Sequence, residues 1–310
     1  MISDLLTAQV LIGVLASGIR LATPYLYAAL GETFSQRSGV LNLGVDGQML
    51  LGAFAAFYVV FETGNLWLGV LAAMIVGAIM GLAMAFVSVN LGAEQGISGI
   101  GFYLFGLGMS DLLFQEMLGS VETVSGFKPI HIPFLSDLPV VGEIFFSQNI
   151  MVYLAYLLVP ISIIIINHTT LGLKIRAAGE NPQAADSLGV SIARVRYFTV
   201  ILGGIFSGVA GASLSIALLN VFQQNLTNGL GFIAVALVYF GGWRPAGVLV
   251  GSLIFSMVNA LQLWVQIKNI PIPSDIAIMM PYGLTILALV IAVQRVRQPS
   301  ALTKRFERGE

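Results

Sequence analysis

LWLGVLAAMIVGAIMGLAMAFVSVNLG, residues 66–92, runs for 27 positions without a charged side chain. About 20 apolar residues in a helix cross the hydrocarbon core of a bilayer, so this stretch alone predicts a membrane span. Working outward, comparable stretches lie at 6–30, 39–60, 97–117, 149–167, 195–219, 229–243, 245–266 and 276–295. The shortness of 229–243 leaves open whether it crosses or re-enters, and the count is therefore about nine, within 8–10. The expected fold is all-α: a polytopic transmembrane helical bundle forming one domain over residues 1–310.

Composition agrees. Hydrophobic residues make up 57% of the chain and charged residues 9%, against about 25% charged in soluble domains. The 35 glycines and 11 prolines suit helices that pack closely or break at membrane depth. A net charge of −1 leaves no footprint for nucleic acid, and with no cysteine there is neither a disulfide nor a thiolate metal site. Met1-Ile-Ser-Asp4 lacks the positive n-region of a cleavable signal peptide, so the first apolar stretch is expected to be retained as a span.

The longest polar interruption, TTLGLKIRAAGENPQAADSLGVSIARVR at 169–196, contains a short capped helix. Asn181 is placed to cap it, Pro182 suits its first turn and Gly189 its end. A small rigid helix held outside the bilayer is a contact surface, and a cytosolic motor is the obvious partner. If this loop (172–190) and the C-terminal tail (296–310) are cytoplasmic, the inside carries Arg37, Lys174, Arg176, Arg194, Arg196, Arg244, Arg295, Arg297, Lys304, Arg305 and Arg308, and the outside only Lys128 and Lys268. That bias obeys the positive-inside rule. Residues 119–148 then form an external loop over the mouth of the bundle.

A second polar region enters a span. Asn42, Asp46 and Gln48 follow the turn after Arg37 and sit among Gly39, Gly44, Gly47 and Gly52. An aspartate at mid-helix costs roughly 2.5–3.5 kcal/mol on insertion scales, so Asp46 must face protein or water. Arg20 reaches similar depth at about 1.5 Å per residue, and either pairs with Asp46 or has its own partner. The polar and aromatic candidates for a solute path are Asn42, Asp46, Gln48, Asn90, Phe102, Asn220 and Phe222. Amides bond hydroxyls and base edges, and aromatic faces stack on rings.

Taken together, Arg37-Ser-Gly-Val-Leu-Asn-Leu-Gly-Val-Asp-Gly47, Arg176-Ala-Ala-Gly-Glu-Asn-Pro-Gln-Ala-Ala-Asp186, Gly189-Val-Ser-Ile-Ala-Arg-Val-Arg196, Gly208-Val-Ala-Gly-Ala212, Trp243-Arg-Pro-Ala-Gly247 and Pro281-Tyr282 resemble the inner-membrane permease subunit of ATP-binding-cassette importers of the simple-sugar and nucleoside group. The resemblance runs from about Ala22 to Leu289, and is nearest to the shorter of the two permeases of nucleoside importers. Asp46 departs from the glutamate expected there, and Gln95-Gly-Ile-Ser-Gly-Ile-Gly101 from a more polar entry to its span.

The resemblance implies that the capped helix is a coupling helix docking on a separate ATPase, with Arg176, Gly179, Glu180, Asn181, Pro182, Ala184, Ala185, Asp186 and Gly189 as the contact segment. It also implies a second, non-identical permease and an extracytoplasmic substrate-binding protein around the same bilayer. ATP and magnesium would be held by the ATPase, because no Gly-x-x-x-x-Gly-Lys-Ser/Thr phosphate loop occurs in this chain. His131 and His168 are isolated, so no metal site and no catalytic set is read. Two other readings stay open: a ribose-type sugar importer permease, and an ion-coupled secondary transporter built on Asp46 and Arg20.

Overall fold

The computed structural model describes residues 8–267, 279–283, 286–287, 290 and 297–306, and every regular element among them is helical. Ala8–Arg37 (α1), Val45–Thr63 (α2), Leu66–Ala85 (α3), Gln95–Met117 (α4), Ile150–His168 (α6), Ile192–Ser213 (α9) and Pro245–Ile267 (α11) supply seven helices long and apolar enough to cross a membrane. Phe86–Asn90 and Leu214–Leu218 prolong α3 and α9 as single wide π turns. The short helices are Val141–Phe145 (α5), Thr170–Glu180 (α7), Pro182–Ser187 (α8) and Leu230–Phe240 (α10). The ninth expected span, 276–295, lies for the most part outside the described residues.

Two helices form the centre. In α2 and α9 the most apolar stretch is 72% buried, against 22% in α4 at the periphery. Without a hydrophobic driving force between helices in lipid, close backbone approach does the work. A Cβ on Gly77 of α3 would collide with the Gly204 carbonyl of α9, and one on Gly204 with the Gly77 carbonyl. The seam is reciprocal, and no side chain fits between its two backbones.

Three sequence expectations change. First, α1 does not end at residue 30 but continues through Glu32 and Gln36 to Arg37, and the connection to α2 is the irregular stretch 38–44. The last turns of α1 are polar yet buried because that stretch folds back on them: the Asn42 amide donates to Glu32 Oε1 at 2.9 Å and Ser35 Oγ to the Val40 carbonyl at 2.9 Å. Second, the 229–243 segment is helical only over eleven residues, about 16 Å, half of the roughly 30 Å core. Third, the polar loop holds two helices rather than one. Thr169 caps α7 by accepting the Gly172 amide, and Asn181 caps α8 by accepting that of Ala184 at 3.0 Å, with Pro182 in the first turn and Gly189 beyond the end at φ +85°.

The 119–148 segment lies over the Thr63 end of the bundle. The Val124 amide donates to the Asn220 carbonyl, that of Ile130 to Gln148, and Trp67 meets Phe127 edge to face at 5.4 Å.

Candidate functional site

Between the end of α9's extension at Leu218 and the start of α10 at Leu230, the chain is unwound. The sequence Asn220-Val-Phe-Gln-Gln-Asn-Leu-Thr-Asn-Gly229 explains why. Asn220, Asn225 and Asn228 all hold positive φ, at 59°, 52° and 43°, followed by Gly229 at 85°, and asparagine and glycine are the residues that enter this region most readily. Val221 bridges to Thr123 in the covering segment, and Phe222 is wholly buried among Phe54, Phe57 and Phe114, with ring centroids 5.3, 6.3 and 5.8 Å away. Further along, Thr227 and Gly231 reach Asp46. The Gly231 amide donates to Asp46 Oδ1 at 2.7 Å and the Thr227 hydroxyl to Oδ2 at 3.0 Å. At the far end of α10, the Trp243 indole donates to Gln36 Oε1 at 2.7 Å, one residue from the end of α1. The segment 219–243 thus descends unwound from the Thr63 side to mid-bundle and finishes as a half-helix at the Arg37 side. Irregular backbone at such depth is tolerated where protein covers it or a cavity adjoins it.

The seven path candidates do not converge. Asn42 and Gln48 belong to one buried network with Glu32, whereas Asp46 is bonded separately to Thr227 and Gly231. Asn42 Nδ2 donates to Gln48 Oε1 at 3.2 Å, Asn42 Oδ1 accepts the Gly44 amide at 2.9 Å, and Glu32 also accepts from Gln36 at 3.0 Å. Glu32 Oε2 and Gln48 Nε2 lack a protein partner among the described residues. Phe102 packs toward Val40, Met84 and Val200. Asn90 accepts from the Tyr197 hydroxyl at 2.7 Å, and Asn220 and Phe222 sit in the unwound limb. Arg20 does not pair with Asp46, for its Nε donates to Gln148 Oε1 at 3.2 Å.

Beside the break lies a cavity of about 260 Å³, on whose walls stand Tyr25 of α1, Asn228, Phe255, Asn259 and Gln262 of α11, and Tyr282. None of the seven candidates lines it. Sequence reasoning passed over this set because its members are scattered. The one readable signal was Asn259 and Gln262, two amides three residues apart on a largely apolar helix and hence on one face.

At the Arg37 end, α7 and α8 are seated on the bundle. A Cβ on Gly179 would strike the Arg37 carbonyl. The tail is stitched over the same place: the Ala301 amide donates to the Gly179 carbonyl at 2.8 Å, that of Thr303 to Gly39 at 3.2 Å, and Arg196 Nη1 to the Lys304 carbonyl at 3.1 Å. Ser300 donates to Glu180 from its hydroxyl at 3.2 Å, so Glu180 is engaged within the chain. Pro182 and Ala185 are buried, whereas Gln183, Ala184 and Ser187 face outward beside Leu188, which is 85% exposed.

The model of the family described as branched-chain amino acid transport system, permease component, matches residues 14–289. A putative glucose ABC transporter permease of Haloferax volcanii is 38% identical over 96% of this chain and 98% of its own. A guanosine ABC transporter permease of Bacillus subtilis is 36% identical over 97% and 98%, and a nucleoside ABC transporter permease of Lactococcus lactis 32% over 93% and 94%. No solved structure matches.

Proposed function

The chain belongs to this permease-component family, and on that premise we propose that it forms the membrane pathway of an ATP-driven importer of nucleosides. The carrying observation is its likeness, nearly end to end, to a guanosine and a nucleoside ABC transporter permease, on a fold whose seventh apolar segment in chain order, 219–243, is broken at mid-depth. A second, non-identical permease, ATPase subunits that hold ATP and magnesium, and an extracytoplasmic binding protein complete the assembly. The Arg37 end, with its excess of Lys and Arg, faces the cytoplasm, as does the tail.

α8 is the contact with the ATPase. An exposed leucine at the tip of a capped, buttressed helix supports this reading, because such a side chain gains by entering a groove on another protein. The glucose permease relative favours a second reading, simple-sugar import by the same architecture.

Uptake of radiolabelled guanosine, glucose and leucine by vesicles carrying the chain with its co-purifying partners, with and without ATP depletion, tests the proposal. Guanosine uptake that stops without ATP is the expected result. Glucose uptake alone would replace the substrate, and uptake indifferent to ATP would overturn the importer. Leu188→Asp should leave the membrane part folded while lowering solute-stimulated ATP hydrolysis at least tenfold, and unchanged hydrolysis would sink the docking role of α8.

A further inference from the structure

The cavity beside the broken crossing has the placement and the chemistry of a solute-binding site. Tyr25 is twelve residues from the end of α1 and Phe255 ten from the start of α11, about 18 and 15 Å along their helices. Both rings therefore lie near the middle of a roughly 30 Å core. They meet edge to face at 5.1 Å, giving the wall a fixed aromatic corner. Leu230, the first residue of the half-helix, borders the same space.

The polar groups of its described lining are all uncharged. Asn228, Asn259 and Gln262 present carboxamides, and Tyr282 a phenol. Thr227 also borders the cavity, but its hydroxyl is committed to Asp46. Among the described residues no protein group takes up the three carboxamides, and no charged side chain lines the cavity. Each carboxamide offers two donors and an acceptor oxygen, a set that matches hydroxyls and heterocycle edges. An amino-acid zwitterion would bring two full charges into this space with no charged side chain among the described lining residues to pair them, which is unfavourable at low dielectric. At about 260 Å³, the space falls just under the roughly 300–1,000 Å³ of pockets for drug-sized ligands, a size for one small ring-bearing solute.

We infer that this cavity, bounded by Tyr25, Asn228, Phe255, Asn259, Gln262 and Tyr282, is the station at which the permease holds its solute, and that it selects an uncharged, hydroxyl-rich molecule with a ring face over an amino acid. The inference rests on the importer reading above and locates its recognition step.

The chain contains no cysteine, so Asn259→Cys gives it a single thiol. In liposomes bearing the intact importer complex, the rate at which a methanethiosulfonate reagent modifies that thiol is followed on this chain, alone and with saturating guanosine, glucose or leucine. Slowing of at least fivefold by guanosine or by glucose, with no effect of leucine, is the expected result. Rates unmoved by both guanosine and glucose, or slowed by leucine, overturn the site. Wild-type uptake in the same liposomes separates the two claims: guanosine uptake with unmoved labelling removes the site and leaves the importer, whereas absence of both guanosine and glucose uptake removes both. If the Asn259→Cys chain does not assemble with its partners, Gln262→Cys, one turn further along α11, gives the same readout.

Discussion

The α3–α9 seam and the Asp46–α10 junction both join buried elements, by opposite means. At the seam, glycine backbones lie directly against one another, with Gly77 and Gly204 each filling the space the other's side chain would need. At the junction, one carboxylate gathers an amide and a hydroxyl from a segment that is otherwise unwound. Steric contact of the first kind is lost over a fraction of an ångström and has one arrangement. Polar contact of the second kind can be broken and remade, provided that the freed groups find water or a ligand. The difference separates a frame from a part able to move, and the broken crossing with its cavity lies on the movable side.

The comparison breaks most severely at the seam. Gly204→Leu should cost at least about 3 kcal/mol, the upper end for overpacked cores, and yield chain that aggregates on size-exclusion chromatography after extraction. Asp46→Ala should be milder, roughly 1–3 kcal/mol for a buried amide left unpaired. It should lower the melting temperature of the extracted complex and abolish uptake, with Asp46→Asn retaining part of both. A melting temperature as low as that of Gly204→Leu would mean that the junction belongs to the frame. Trp243→Phe removes one hydrogen bond to Gln36, worth about 1 kcal/mol, and should loosen the lower end of the half-helix, read as faster proteolysis between 241 and 245.

The smallest effect is expected outside both regions. Glu94 caps α4 through the Gly96 and Ile97 amides, and those bonds hold its carboxyl below its ordinary 4.5. Its stabilising contribution is complete above that ordinary value and disappears as pH falls through the lower folded one. The difference in melting temperature between wild type and Glu94→Ala should therefore be constant at neutral pH and vanish in strong acid. A difference that persisted there would show that the cap does not depend on the charge.

The frame was legible in the sequence because hydropathy reports it directly, and α3, α4, α6 and α11 fall within a few residues of expectation. The α8 cap was legible for a local reason, since Asn181, Pro182 and Gly189 each act within one turn. The end of α1 was not, because what holds Glu32 and Gln36 in the interior is the fold-back of the 38–44 stretch, which brings Asn42 to Glu32, and Trp243, 207 positions from Gln36. Asp46 was recognised as costly, but nothing local pointed to Gly231, 185 positions away. The cavity was hidden for the same reason, its walls being drawn from α1, the unwound limb, α11 and Tyr282.

The tail stitched across the Arg37 end bears on how force would travel. Through Ala301 and Thr303 it ties the carbonyl of Gly179, at the foot of α7, to that of Gly39, in the irregular stretch leading to Asn42. α7 and the irregular stretch 38–44, far apart in sequence, are thus joined by a short inextensible tether. A push delivered to α8 would arrive at the 38–44 stretch as a pull, and the stroke transmitted would be set by the three backbone residues 301–303, not by the compliance of the bundle.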